Sequence, residues 1–170
     1  QTCALPICFI PQKTLLFTGS IANNIKFGKK DAEYKEVEDS ARIAQAYEFI
    51  SNKPNKFDEI ITEGGSNVSG GQKQRLSIAR AIVRKPDIYI FDDSFSALDF
   101  KTDAILRKEL RTETKDAIVL IVAQRIGSIM DADKIIVLNE GEVVGIGTHK
   151  ELIKNCPIYH EIATSQLTEE

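Results

Sequence analysis

An α/β fold with a helical insertion is what this sequence predicts. Short apolar runs of strand length alternate with longer stretches of helical periodicity, the pattern of a sheet covered by helices. One run, Ile88-Tyr89-Ile90-Phe91, is continuously apolar between Pro86 and the pair Asp92-Asp93, which suits a parallel strand buried on both faces. Between residues 29 and 85 the signals turn mainly helical and polar, which marks a compact insertion.

Each element has its own warrant. Cys8-Phe9-Ile10 before Pro11 reads as a short strand, and Pro11-Gln12-Lys13 as the loop after it. Ser20 supplies the N-cap of a short helix ending at Gly28. Across residues 31–50, Val37, Ala41, Ala44 and Phe49 stand among many charges, so one amphipathic surface helix is expected. Residues 51–67 are polar and turn-rich. Ser69 then caps a helix from about Gly70 to Val83, with Leu76, Ala79, Ile82 and Val83 on one face. After the Ile88 strand comes a helix over about residues 101–114, then strands over residues 117–122 and 134–138. The first two of these strands are expected to be adjacent and parallel, joined by that helix. Asn139-Glu140-Gly141 is a turn signal into a strand over residues 142–146. Thr148 caps a last helical stretch, interrupted near Pro157.

Bulk properties narrow the classes. A chain of 170 residues can bury a core as one domain or most of one, and 42% hydrophobic with 28% charged residues argues against disorder. A net charge of −3 argues against a broad nucleic-acid face, so no nucleic-acid partner is expected. Cys3, Cys8 and Cys156 are odd in number and lack C-x-x-C spacing, as reduced cytosolic thiols do. The longest apolar run, residues 117–123, is far short of a membrane span. No basic segment followed by a long apolar core opens the chain. The first residues, QTCALPI, have neither periodicity nor an initiator Met. ALPI is what one frame of a common sequencing adapter would encode, so residues 1–7 read as a scar joined to a truncated gene.

The sharpest motif is VSGGQKQR, residues 68–75. Two glycines opening a helix expose main-chain N–H groups at the positive end of its dipole, a ready anion site. Ser69 adds a hydroxyl, and Gln72, Lys73 and Arg75 follow in the first turns. A plain turn before a helix would account for the glycines alone. The whole octapeptide, followed by LSIARA and a strand that ends in aspartate, carries more. Those aspartates sit where open α/β sheets place their ligands, although a turn or cap would also use Asp93-Ser94.

With these motifs in order, the chain from Cys8 onward resembles the nucleotide-binding domain of ABC transporters, the exporter type in particular. SGGQ looks like the ABC signature, IYIFDD like the Walker B strand, SALD (residues 96–99) like the D-loop and Pro11-Gln12 like the Q-loop. IVAQRI (residues 121–126) sits where the family carries its switch histidine, and ADKIIVL and GTHKEL also fit exporters. The resemblance implies a P-loop NTPase (RecA-like) core with an inserted α-helical subdomain. Residues 8–28 would form the Q-loop edge of the core, residues 29–85 the helical subdomain, and residues 86–170 the rest of the core. It implies ATP and Mg²⁺ as cofactors, a second ABC subunit and transmembrane domains as partners, and a place on the cytoplasmic face of the membrane.

By the same resemblance Ser69, Gly70, Gly71, Gln72 and Asp99 contact nucleotide, Gln12 belongs to the cofactor site, senses Mg²⁺ and contacts the transmembrane coupling helices, and Asp92 is the Walker B acid that holds the metal. The family departures are equally specific. No GxxxxGK[ST] loop occurs in the chain, so most of the phosphate grip is missing. Asp93 stands where a glutamate general base is usual, and its shorter side chain would fall short of the attacking water. Gln124 stands where the switch histidine is usual, and an amide donates a hydrogen bond but carries no proton or charge. Both changes together are the pattern of the degenerate half of a heterodimeric exporter. His149 and His160 lack an acid–base constellation and read as surface or capping residues.

Three classes of function compete: the ATP-binding part of an exporter for a small molecule, lipid or peptide; a non-transport ABC ATPase acting in DNA repair or on ribosomes; and a catalytically dead interaction fragment. The exporter-type motifs and the acidic balance favour the first.

Overall fold

The computed structural model describes residues 6–167. The chain divides into two compact units, one up to Val122 and one from Ala123. In chain order the first contains β1 (Ile7–Ile10), β2 (Gly19–Ser20), α1 (Ile21–Lys26), α2 (Tyr34–Ile43), α3 (Tyr47–Ser51), β3 (Ile60–Ile61), α4 (Gly70–Ile82), β4 (Ile88–Asp92), α5 (Phe100–Glu113) and β5 (Ile118–Val122). Short 3₁₀ turns at Lys56–Asp58 and Glu63–Gly65 punctuate the helical stretch.

A three-stranded parallel sheet in the order β1-β4-β5 anchors this unit. β4 and β5 are adjacent, parallel and joined through α5, as expected. Its register puts Cys8, Ile10, Tyr89, Phe91, Val119 and Ile121 on one face and Ile7, Phe9, Ile88, Ile90, Ile118 and Leu120 on the other. Ile10, Tyr89 and Phe91 are buried, whereas Ile7, Phe9, Ile118 and Leu120 are exposed. In β4 itself Tyr89 and Phe91 are buried and Ile88 and Ile90 half-buried, so among the described residues the strand is fully covered on one face and partly on the other.

The buried cluster runs without a break from Ile10 through the helical stretch to Leu110. α4 is its spine, with Leu76, Ile78 and Ala79 fully buried and Ile82 nearly so. Each large side chain of this kind contributes up to ~1.5–3 kcal/mol on leaving water. Close to α1 the packing is tight: a β-carbon on Gly28 would lie 2.0 Å from the Arg80 main-chain oxygen.

The single helix expected over residues 31–50 is two helices. Gln45 takes a left-handed conformation (φ 56°) between α2 and α3, and the Ala46 N–H closes onto the Ala41 oxygen at 2.7 Å. Ala44 and Ala46 are both buried. A continuous helix would point residues two apart to different sides, so the chain turns to bury both along with Ile50. α2 starts at Tyr34, where Glu33 and Glu36 form a capping box. The polar stretch 51–67 also contributes a short strand that the sequence did not announce, β3, which pairs with β2.

In the second unit β6 (Ile135–Asn139) and β7 (Glu142–Gly147) form an antiparallel hairpin. Glu140 and Gly141 both have positive φ (49° and 84°), the two-residue turn whose twist suits a hairpin. α6 (His149–Asn155) and α7 (Pro157–Leu167) follow. Thr148 caps α6 in a capping box with Glu151, and Pro157 opens α7, as the sequence predicts. Ile126, Ile135, Val137, Leu152, Tyr159 and Ala163 make this unit's own core.

The reading of residues 1–7 as a scar falls for residues 1–5 outside the described residues. Ile7 itself pairs in β1 through main-chain atoms, which any residue type supplies.

Candidate functional site

Asp92 ends β4 and Asp93 begins the loop beyond it. Asp93 has φ 45°, a left-handed conformation that aspartate tolerates better than most residues. Its backbone is pinned on both sides. The Asp93 N–H donates to the Val122 oxygen at 2.9 Å, and the Ser96 hydroxyl donates to the Asp93 oxygen at 2.8 Å. The buried Ser94 hydroxyl donates to the Ile10 oxygen at 2.8 Å, which ties the end of β1 to this turn. The exposed Gln12 side chain then reaches across, its Nε2 donating to Asp93 Oδ2 at 2.9 Å. Two residues singled out separately in the sequence thus meet at the C-terminal edge of the sheet. Asp92 stands beside them, half-buried.

α4 presents the second cluster. Ser69 caps it, its hydroxyl accepting from the Gln72 N–H at 3.2 Å while Gln72 Oε1 accepts from the Ser69 N–H at 3.1 Å. That cap is worth about 1 kcal/mol. Gly70 is exposed, with nothing within 4 Å of where a β-carbon would stand. Lys73 is drawn back to the Gly64 oxygen at 2.8 Å, and Arg75 donates to the Gln45 oxygen at 2.7 Å. What α4 offers at its start is therefore bare main-chain N–H, with the adjacent side chains already engaged.

The residues after Asp93 close against that helix. A β-carbon on Gly71 would lie 3.0 Å from the Ala97 oxygen. Two residues on, Asp99 caps α5, accepting from the Thr102 N–H at 2.9 Å. The Thr102 hydrogen bonds, and secondarily the charge of Arg75, hold the Asp99 carboxyl below its ordinary value.

Gln124 lies in the second unit and is exposed. The Gln166 side chain brackets it, donating to the Gln124 oxygen at 2.9 Å and accepting from the Ile126 N–H at 2.8 Å. His149 Nδ1 is 2.8 Å from the Tyr159 hydroxyl, a structural contact within this unit.

Sequence reasoning missed Gln74, Ser94 and Gln166. Gln74 is 3% exposed, with its Nε2 donating to the Pro11 oxygen at 3.3 Å and its Oε1 accepting from the Thr14 hydroxyl. Its signal was available: residue 74 shares a helix face with Ser77, Ile78 and Ala81, so a long polar side chain there must point inward. Ser94 and Gln166 leave no comparable trace in sequence.

The donor set fits Mg²⁺ with a nucleoside polyphosphate. Two adjacent carboxylates and an amide are hard oxygen ligands, and Mg²⁺ binds through one or two carboxylates together with substrate phosphates. Among the described residues no group of three or more His, Cys, Asp and Glu could hold a metal unaided. The open space at Gly70 likewise suits an anion approaching a helix N-terminus.

A parallel sheet with acids at its C-terminal edge, beside a glycine-opened helix, defines a phosphate-handling α/β domain. Residues 4–96 match the family model described as ABC transporter, and the chain belongs to that family. It is similar to the uncharacterized ABC transporter ATP-binding protein YfiB of Bacillus subtilis (strain 168), 44% identical over 164 residues, covering 96% of this chain and 28% of that protein. It is also similar to ATP-binding cassette sub-family B member 5 of Mus musculus, 42% identical over 157 residues, covering 92% of this chain and 12% of that protein. Among solved structures it matches a bacterial Atm1-family ABC exporter with ATP bound, with TM-score 0.92 and 33% identity, over 95% of this chain and 29% of that one. The chain thus spans under a third of the length of the relatives it matches. Over that span it is an ABC nucleotide-binding domain homologous to those of exporters. No helix among the described residues is long and apolar enough to cross a membrane.

Proposed function

We propose that this chain is part of the ATP-binding subunit of an ABC exporter, coupling ATP binding and hydrolysis to movement of a small molecule, lipid or peptide. The phosphate loop and the membrane-spanning domains come from sequence outside these 170 residues. The domain works at the cytoplasmic face of the membrane, with residues 29–85 as the helical subdomain and residues 8–28 and 86–170 as the core. Asp92 would hold Mg²⁺, with Gln12 beside it. A bound Mg²⁺ would neutralise charge on the nucleotide's β- and γ-phosphates. Gly70 and Gly71 would present main-chain N–H groups to a nucleotide held mainly by a second ABC subunit, Ser69 and Gln72, whose own N–H groups close the cap, would line the same approach, and Asp99 would hold the adjoining loop.

The subunit is the degenerate half of a heterodimer: its signature serves the partner's site, while its own site hydrolyses weakly. The carrying observation is the pairing of Asp93 with Gln12. A carboxylate already shorter than glutamate is drawn to an amide that removes no proton. Gln124 would orient phosphate without proton transfer.

The test is steady-state ATPase of the complete protein with its partner. Gly70→Asp puts a carboxylate where the partner's phosphate approaches, and should abolish most turnover. Asp93→Asn should leave most of it. If Asp93→Asn is as inactive as Gly70→Asp, this site is a hydrolytic one and the asymmetric reading fails.

A further inference from the structure

We infer that Gln74 is the positioning residue for Gln12. The segment carrying Gln12 has no main-chain partner in the sheet, since β1 ends at Ile10. Gln74 holds it on both sides instead: the amide nitrogen donates to the Pro11 oxygen at 3.3 Å and the amide oxygen accepts from the Thr14 hydroxyl. Gln12 lies between those two anchors and makes its 2.9 Å bond to Asp93. Gln74 is 3% exposed, so both of its bonds are shielded from competing water.

The arrangement closes a ring. Gln74 belongs to α4, whose Gly71 packs on the Ala97 oxygen, and Ala97 follows Asp93 in the same loop. Displacing Gln12 therefore pulls on the helix that presents Gly70 and Gly71. A single buried amide links the metal-side cluster to the signature end of α4. This inference rests on the reading above only for what Gln12 contacts when nucleotide is bound; the positioning itself is a property of the chain alone.

The experiment uses the ¹⁵N-labelled chain and follows the Gln12 side-chain amide signals, assigned by their loss in Gln12→Ala. Gln74→Leu removes both bonds at similar volume and should move those signals to the position of an unbonded glutamine. Gln74→Glu supplies a conditional rescue. A protonated glutamic acid both donates and accepts as glutamine does, whereas its anion has no donor. Burial raises the pKa of such a carboxyl. The Gln12 signals of this variant should sit near wild type at low pH and move toward the Gln74→Leu position as pH rises, the change being read as the difference from wild type at each pH. A packing role alone would produce no such change. Thr14→Val should give a partial shift, and adding Gln74→Leu to it no more than Gln74→Leu alone.

In the complete protein with its partner, Gln74→Leu should weaken Mg²⁺-dependent nucleotide binding at this subunit's own site about fivefold or more, with steady-state turnover within about twofold, as loss of positioning through one or two hydrogen bonds implies. Gln12 signals indifferent to the Gln74 variants would overturn the positioning role, whatever the site does. Signals that move while the Mg²⁺ dependence stays flat would uphold it and overturn the metal-sensing role given to Gln12.

Discussion

Gly71 meets the main-chain oxygen of Ala97 so closely that a β-carbon at residue 71 would stand 3.0 Å from it. Its neighbour Gly70, one position earlier on the same helix, faces open space. The two glycines of the signature therefore do different work. One keeps main-chain N–H accessible, and the other lets two backbones touch.

Alanine at the two positions should separate these roles. Gly70→Ala is expected to leave stability unchanged or raise it by up to ~1 kcal/mol, from helix propensity. Gly71→Ala must push the Ala97 loop away and should lower stability by about 1 kcal/mol relative to Gly70→Ala. Urea unfolding of both variants measures the difference, and a Gly71→Ala chain as stable as Gly70→Ala would contradict the close approach.

Gly28→Ala should do far more damage. Its β-carbon would fall 2.0 Å from the Arg80 oxygen, a main-chain atom of α4 that has nowhere to swing. Arg80 is itself anchored, donating to the Asn24 oxygen at 2.9 Å and to the Leu15 oxygen at 3.1 Å. A loss of about 3 kcal/mol, at the upper end of overpacking costs, is expected. Thermal melting followed by circular dichroism would read it, with Gly70→Ala as the control.

Acid should weaken the cap of α5 in a defined window. The folded-state pKa of Asp99 is depressed below the ordinary 3.8, chiefly by hydrogen bonds from Thr102. Its contribution is therefore complete above that unfolded-state value and is lost as pH falls through the lower folded value. Asp99→Asn keeps a capping side chain but has nothing to titrate. The stability gap between wild type and Asp99→Asn should hold steady above about pH 4 and close below it. A gap that stays constant down to pH 2 would remove the charged cap from the account.

The 170-residue chain alone is expected to bind Mg-ATP poorly and to show no turnover, because Gly70 and Gly71 would serve a nucleotide gripped elsewhere. Isothermal calorimetry finding micromolar affinity would contradict this, and would place a phosphate grip within these residues that their motifs do not announce.

The helix starts were legible because capping is local. Ser20, Ser69 and Thr148 each accept from the main chain three residues on, as their positions before apolar periodic runs announce. The parallel pairing of β4 with β5 was legible from strand–helix–strand order. The break at Gln45 was not, because Ala44 and Ala46 carry too little hydrophobic contrast to betray a change of period, and only tertiary burial decides it. At the candidate site, the strand-end position of Asp92 and Asp93 and the helix-start position of Gly70 were legible from the motifs. The bond from Gln12 to Asp93 was not, since it depends on a loop and a strand end brought together by β1 pairing with β4.

That pairing has a consequence in time. Ile7 waits for Ile88, so the whole stretch between them must be made before β1 finds β4. Contacts so distant in sequence form slowly. The helices between them have partners nearer at hand, and we predict that α1, α2 and α4 assemble while β1 is still unpaired. Pulse-labelled hydrogen exchange during refolding would then protect α4 amides before those of β1 and β4, and simultaneous protection would contradict the order. The segment that carries the signature would be built first, and the acids it works beside would arrive last.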